Sequence, residues 1–77
     1  MKTIKIKHWT EVPDNFTGIV IDTNGDKFWY LNGKRHRVDG PAIIHANGDK
    51  FYFINGERVA KKAQEVLYGF YKLKGML

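Results

Sequence analysis

The 77-residue chain contains no cysteine and no serine. Without cysteine there is no disulfide and no thiolate metal ligand to stabilise the fold. The two absences together exclude serine and cysteine nucleophiles, leaving four threonines and four tyrosines as the only hydroxyl side chains. A cysteine-free chain also fits a reducing compartment. Long apolar runs are missing as well. The N-terminus reads MKTIKIKHW, with lysines breaking up the apolar residues, so neither a secretory signal nor a membrane-crossing helix is expected. The expected compartment is the cytoplasm. At this length the chain is one domain, near the lower limit at which a core alone outweighs chain entropy.

The formal charge is +5, which favours anionic surfaces such as nucleic acid or an acidic protein face. The same charge is ordinary for a small domain that needs only to stay soluble.

The chain also repeats itself. NGDKF occurs at Asn24–Phe28 and again at Asn47–Phe51, and the match extends from VIDTNGDKFWYLNGKR (Val20–Arg35) to IIHANGDKFYFINGER (Ile43–Arg58), an offset of 23 residues. Repeats of this kind set an architecture. Each copy carries two Asn-Gly pairs, the preferred two-residue hairpin turn. Between them lie the aromatic and β-branched runs KFWYL and KFYFI, which favour strands. Each copy therefore reads as a three-stranded meander. An alternating N-terminal strand, TIKIKH, has Ile4 and Ile6 on one face, and EVPDN (Glu11–Asn15) is a loop. After Arg58 the apolar period changes to three and four residues (Val59, Ala63, Val66, Leu67, Phe70, Leu73), giving an amphipathic helix over roughly 60–72 that covers one face of the sheet. A membrane-surface role for that helix is disfavoured, because the sheet needs a cover. The expected fold is α+β, mainly β: an antiparallel meander of two 23-residue hairpin repeats with one C-terminal helix packed on it. Residues 1–16 form the N-terminal strand and loop, 17–59 the two repeats and 60–77 the helix.

If every Asn-Gly is a two-residue loop, counting outward from the turns fixes the faces, since directly opposed residues share a side. One face then carries Ile19, Ile21, Phe28 and Tyr30, with Ala42, Ile44, Phe51 and Phe53 from the second copy, and forms the core. Arg35 and Arg58 lie at its margin, stacked on neighbouring rings. The other face carries Val20, Asp22, Lys27, Trp29, Leu31, Lys34 and His36, with Ile43, His45, Lys50, Tyr52, Ile54 and Glu57. Asp22 opposes Lys27 as a cross-strand ion pair, and Trp29 opposes His36. A one-residue slip at a turn would exchange the faces.

Between the copies lies GKRHRVDGPAI (Gly33–Ile43). NGKRHRVDGPAI followed by NGDKFYFING resembles the HRxDGPA-type repeat of bacteriophage and bacterial proteins, and its spacing is similar to that of MORN repeats, which are stacked hairpins. The resemblance covers about Val20 to Val59. It is most specific at His36, Arg37, Asp39, Gly40, Pro41 and Ala42, which occur as a motif only once; Asp14–Gly18 hold no equivalent ahead of the first copy. It implies a β-meander array of phage or mobile-element origin, with the host cytoplasm as its compartment, and no particular activity. From the residues themselves, Gly40-Pro41 forces a turn into a strand start, and Asp39 accepts from turn amides or pairs with His36 or Arg37.

No catalytic constellation accompanies these features. His8, His36 and His45 lack the spacing of a zinc site. NGDK and NGKR are hairpin turns without the GK[ST] of a phosphate loop, and DTNGD lacks the ligand spacing of a calcium loop. The expectation is a non-enzymatic protein with no cofactor and no metal. Its leading function is as a small protein-binding module acting on a host or phage protein, with an unpaired edge strand offering a homodimer contact and no membrane partner. The alternative is a nucleic-acid binder, with bases stacked on rings and lysines tracking phosphates. Either reading uses the outer face: Lys27, Trp29, Lys34, His36, Arg37, His45, Lys50 and Tyr52.

Overall fold

The computed structural model describes residues 2–75; residues 76 and 77 of the expected helical segment and residue 1 of the N-terminal one lie outside it. The described chain is a small, mostly antiparallel β-sheet followed by one C-terminal helix, as the mainly-β α+β expectation has it. In chain order the elements are β1 (Thr3–Lys5), a 3-10 turn (Trp9–Glu11), β2 (Gly18–Ile21), β3 (Lys27–Leu31), β4 (Lys34–Arg35), β5 (Ile43–Ile44), β6 (Lys50–Ile54), β7 (Glu57–Val59) and α1 (Lys61–Leu73). The sheet order is β1-β2-β3-β5-β6-β7, with β4 also paired to β3. Among the described residues only β1, parallel to β2, departs from antiparallel pairing.

The four Asn-Gly turns are of two kinds. Asn32-Gly33 and Asn55-Gly56 are two-residue loops: both asparagines have positive φ (50° and 51°), and Leu31 pairs with Lys34 and Ile54 with Glu57. That is the type I′ geometry. Asn24-Gly25 and Asn47-Gly48 are not. There only the glycine has positive φ (86° and 95°), and hydrogen bonds close Asp22 onto Asp26 and His45 onto Asp49. These are three-residue loops, a type I turn followed by a left-handed glycine. In the first, Asp22 Oδ1 accepts from the amides of Asn24 (2.9 Å) and Asp26 (3.0 Å). That carboxylate therefore serves the turn, where a cross-strand pair with Lys27 was expected.

The extra loop residue shifts the register by one. Val20 pairs with Phe28 and Ile19 with Trp29; Ile43 pairs with Phe51 and Ile44 with Lys50. A shift of one exchanges the faces of a strand. So Val20 and Ile43, expected outside, are core residues, whereas Ile19, Ile21 and Ile44, expected inside, are not. Phe28, Tyr30, Phe51 and Phe53 keep the core side. The result is one cross-strand row, Ile4–Val20–Phe28–Ile43–Phe51, running through five strands. Val20 at its centre is fully buried.

The core is closed by the N-terminal segment. Ile6 and Phe16 are buried in it and Val12 packs against it. Trp9 sets its edge on Phe28, with centroids 4.8 Å apart. The loop also meets the first type I′ turn closely: the Gly33 amide donates to Phe16 O (2.9 Å), and a Cβ at Gly33 would overlap the Asp14 carbonyl. On the same side, Arg35 stacks between Phe28 and Phe53 (5.7 and 5.8 Å) and Arg58 on Phe51 (4.7 Å).

The helix α1 lies against β6, on the side opposite the core row. It docks by a face other than the expected one. Gln64 is its buried residue, with Leu67, Tyr68 and Tyr71 half-buried, while Val66, Phe70 and Leu73 are exposed. The reason is a polar anchor. Gln64 Nε2 donates to the carbonyls of Gly40 (2.8 Å) and Arg37 (3.2 Å), and this turns the apolar stripe outward.

Candidate functional site

The HRVDGPA segment has a definite geometric origin. Tyr30 pairs with Arg35, and Phe28 pairs with Ile43. Two steps along β3 thus correspond to eight along its neighbour, so β4 and β5 are one strand line from which six residues are extruded. The backbone confirms the two ends: His36 N–H donates to Trp29 O (3.0 Å) and Trp29 N–H to Ala42 O (2.8 Å). Phe28 therefore opposes Ile43, and the ladder that starts at the Asn32-Gly33 turn does not run on to Arg37.

The extruded loop arches over the outer face and is held by Arg37. Its guanidinium carbon lies 4.2 Å from the centroid of the Trp29 ring. Its Nε donates to Asp39 Oδ1 (2.9 Å), forming an ion pair, and one terminal nitrogen donates to Pro41 O (3.1 Å). A planar, five-donor fork suits this triple use, which a lysine could not reproduce. Gly40 passes so close that a Cβ there would lie 2.9 Å from the Arg37 guanidinium carbon. Ala42 is fully buried, beside Trp29 on this side of the sheet. His36 stitches the loop to the second half of the chain. Its Nδ1 accepts from the Asn55 amide (2.9 Å), while Arg37 N–H donates to Phe53 O (3.2 Å) and Gly56 N–H to Arg35 O (2.8 Å). Accepting at Nδ1 fixes the neutral Nε2–H tautomer. Burial pushes the His36 pKa down from the usual histidine value.

Between this loop, the outer face of β3 and the helix runs a cleft of 360 Å³. Trp29, Leu31, Val38 and Tyr68 give it apolar walls, and His36, Arg37 and Asp39 line its polar end. A smaller cleft of 220 Å³ continues under the helix past Tyr52 and Gln64.

Of the residues singled out in the sequence, Trp29, His36 and Arg37 come together at the cleft beneath the extruded loop. Tyr52 lines the smaller one, and with Lys50 a third cleft at the start of the helix. Lys27 and Lys34 are exposed on the outer face away from these walls. His45 is elsewhere. Its ring stands edge-on to Phe28 and Phe51 on the core side (6.2 and 5.5 Å), and its Nδ1 lies 3.1 Å from Asp26 Oδ2. The amide of Ala46 and the adjacent His45 hold the Asp26 carboxyl below its ordinary range. The pair ties the two hairpin tips together. Sequence reasoning missed Val38 and Tyr68 as cleft walls; the first is hidden by the extrusion and the second by the rotated helix.

The cleft thus joins apolar walls to a polar end. At its polar end Arg37 commits two of its donors to Asp39 and Pro41 and one flat face to Trp29. A base could not stack on that side of the Trp29 ring without displacing the guanidinium. No family model, no curated protein and no solved structure matches the chain.

Proposed function

We propose that the protein is a non-enzymatic binding module of the HRxDGPA hairpin-repeat type, made of two 23-residue units, that docks a host or phage protein in the cytoplasm. The observation that carries this reading is the cleft between Trp29, Leu31, Val38 and Tyr68. Its apolar walls and fixed polar end suit one or two apolar side chains of a partner, the anchor-in-pocket arrangement of protein interfaces. The resemblance at His36–Ala42 supports the repeat reading and the phage or bacterial origin. Each motif residue there has a physical task in the extruded loop, so the motif explains architecture rather than catalysis.

The test is capture from host lysate after nuclease digestion, comparing the native chain with Leu31→Arg and Val38→Arg, which fill the cleft. A protein retained by the native chain and lost by both variants is expected. Retention that survives a filled cleft, or that disappears with the nuclease, would sink the reading.

A further inference from the structure

The helix α1 turns its most apolar side to solvent. Val66, Phe70 and Leu73 are 68%, 51% and 89% exposed, and Ala63 continues the same line one turn earlier. Steps of three, four and three residues place all four on one ridge. Lysines border it: at 100° per residue, Lys62 falls along one side and Lys74 along the other. Among residues 61–74 there are four lysines (Lys61, Lys62, Lys72, Lys74) and one acid, Glu65, in a chain of net charge +5. No described helix is long and apolar enough to cross a membrane, but an interfacial helix needs only a ridge of this kind.

We propose that the free face of α1 is a membrane-surface site, with Val66, Phe70 and Leu73 inserted at the headgroup boundary of an anionic bilayer and Lys62 and Lys74 reaching its phosphates. The sequence argues against such a role only because the apolar side of the helix is needed to cover the sheet. That reason fails, since the helix docks through Gln64, Leu67, Tyr68 and Tyr71. Charge complementarity selects the occupant. A second copy is disfavoured, because pairing the ridge with itself brings together two helices that each carry four lysines and one acid. Four side chains on one helix also fall short of the roughly 1,000 Å² a stable interface buries. A protein groove would need an apolar floor and acidic rims on both sides. An anionic bilayer supplies both without a preformed shape. Three inserted side chains hold a protein weakly, so the lysines are required as a second signal.

The experiment is cosedimentation of the full chain with phosphatidylcholine vesicles, with and without about a third phosphatidylglycerol, at low and high salt. Binding to the anionic vesicles alone, weakened by salt, is expected. Lys62→Gln and Lys74→Gln should each weaken it about fivefold, and Phe70→Asp and Leu73→Asp should abolish it. The emission of Leu73→Trp should shift to the blue on anionic vesicles. Unchanged circular dichroism shows the variants folded; should Phe70→Asp unfold, Leu73→Asp at the more exposed position decides. Three results would overturn the proposal: no binding to anionic vesicles, binding that survives Leu73→Asp, or a concentration-dependent dimer in ultracentrifugation that Leu73→Asp dissolves.

Discussion

At the scale of single residues, His36 joins the two halves of the chain through a bond that only its neutral form makes. Nδ1 accepts from the Asn55 amide at 2.9 Å, and burial lowers the pKa. A histidine whose folded pKa lies below its unfolded one binds fewer protons when folded. Its contribution to stability is therefore complete above the unfolded value, about pH 6.5, and is lost as the pH falls from there through the folded pKa. The native chain should melt at a lower temperature at pH 5.5 than at pH 7.5, and His36→Gln should remove part of that difference. Thermal unfolding of both proteins at both pH values checks this, because every other ionisable group is common to the two and cancels in the comparison. Equal pH dependence in the two would show that the Nδ1 bond contributes nothing. The Asp26 carboxylate, held down by the Ala46 amide and His45, acts only in a lower window. Its stabilisation is present above the ordinary aspartate pKa and is lost as the pH falls through the lowered one. Some of this was legible beforehand: an ion pair between Asp39 and either His36 or Arg37 follows from adjacency, and Arg37 takes it. The stacking of Arg37 on Trp29 was not legible, because it depends on six residues leaving a strand line, and no local propensity announces where a strand is interrupted.

At the scale of elements, what decided the outcome in two places was a polar contact that hydrophobic pattern does not record. The first is the turn. Asn-Gly alone is compatible with both loop lengths, and the three-residue form follows from Asp22 at the first turn position with Gly25 at the fourth, a type I signature present in the sequence. Reading it would have moved Val20 into the core; at the second turn His45 stands where Asp22 does, so the place of Ile43 was not legible in the same way. The second is the helix. Periodicity located it well, to within a residue at each end, yet misidentified its docked side because the anchor is Gln64. This side chain is 4% exposed and satisfies two loop carbonyls. Gln64→Leu keeps the volume but leaves those carbonyls buried without a donor, at a cost of about 1–3 kcal/mol. The expected outcome is a lower melting temperature, with faster hydrogen exchange in α1 and in residues 37–41 while β2 and β3 keep their protection. Uniform acceleration across the sheet would instead mean that the helix is integral to the core.

At the scale of the whole molecule, the question is whether two similar hairpin units make two folding units or one. Three contacts argue for one. Ile43 is buried between Phe28 of the first unit and Phe51 of the second. At one end of the sheet Asp26 receives the Ala46 amide (2.7 Å) and His45, and at the other the amides of Asn55 and Gly56 donate to His36 and Arg35. The N-terminal segment seals a row that already spans both units, a role that EVPDN, with no period of its own, could not disclose in the sequence. A fragment of residues 1–41 keeps Trp9, Phe16, Val20 and Phe28 but loses Ile43 and every residue beyond it along the row. Chains of about 40 residues without disulfides or metal seldom bury enough surface to fold. The fragment should therefore show a disordered far-ultraviolet spectrum, and the full chain should unfold in one transition. Tryptophan fluorescence, which reports only on Trp9 and Trp29 in the first half, should then follow the same curve as circular dichroism, which reports on both halves and the helix. Separate midpoints, or a folded fragment, would mean that each unit carries its own core and that the stitches at His36 and Asp26 join independent modules.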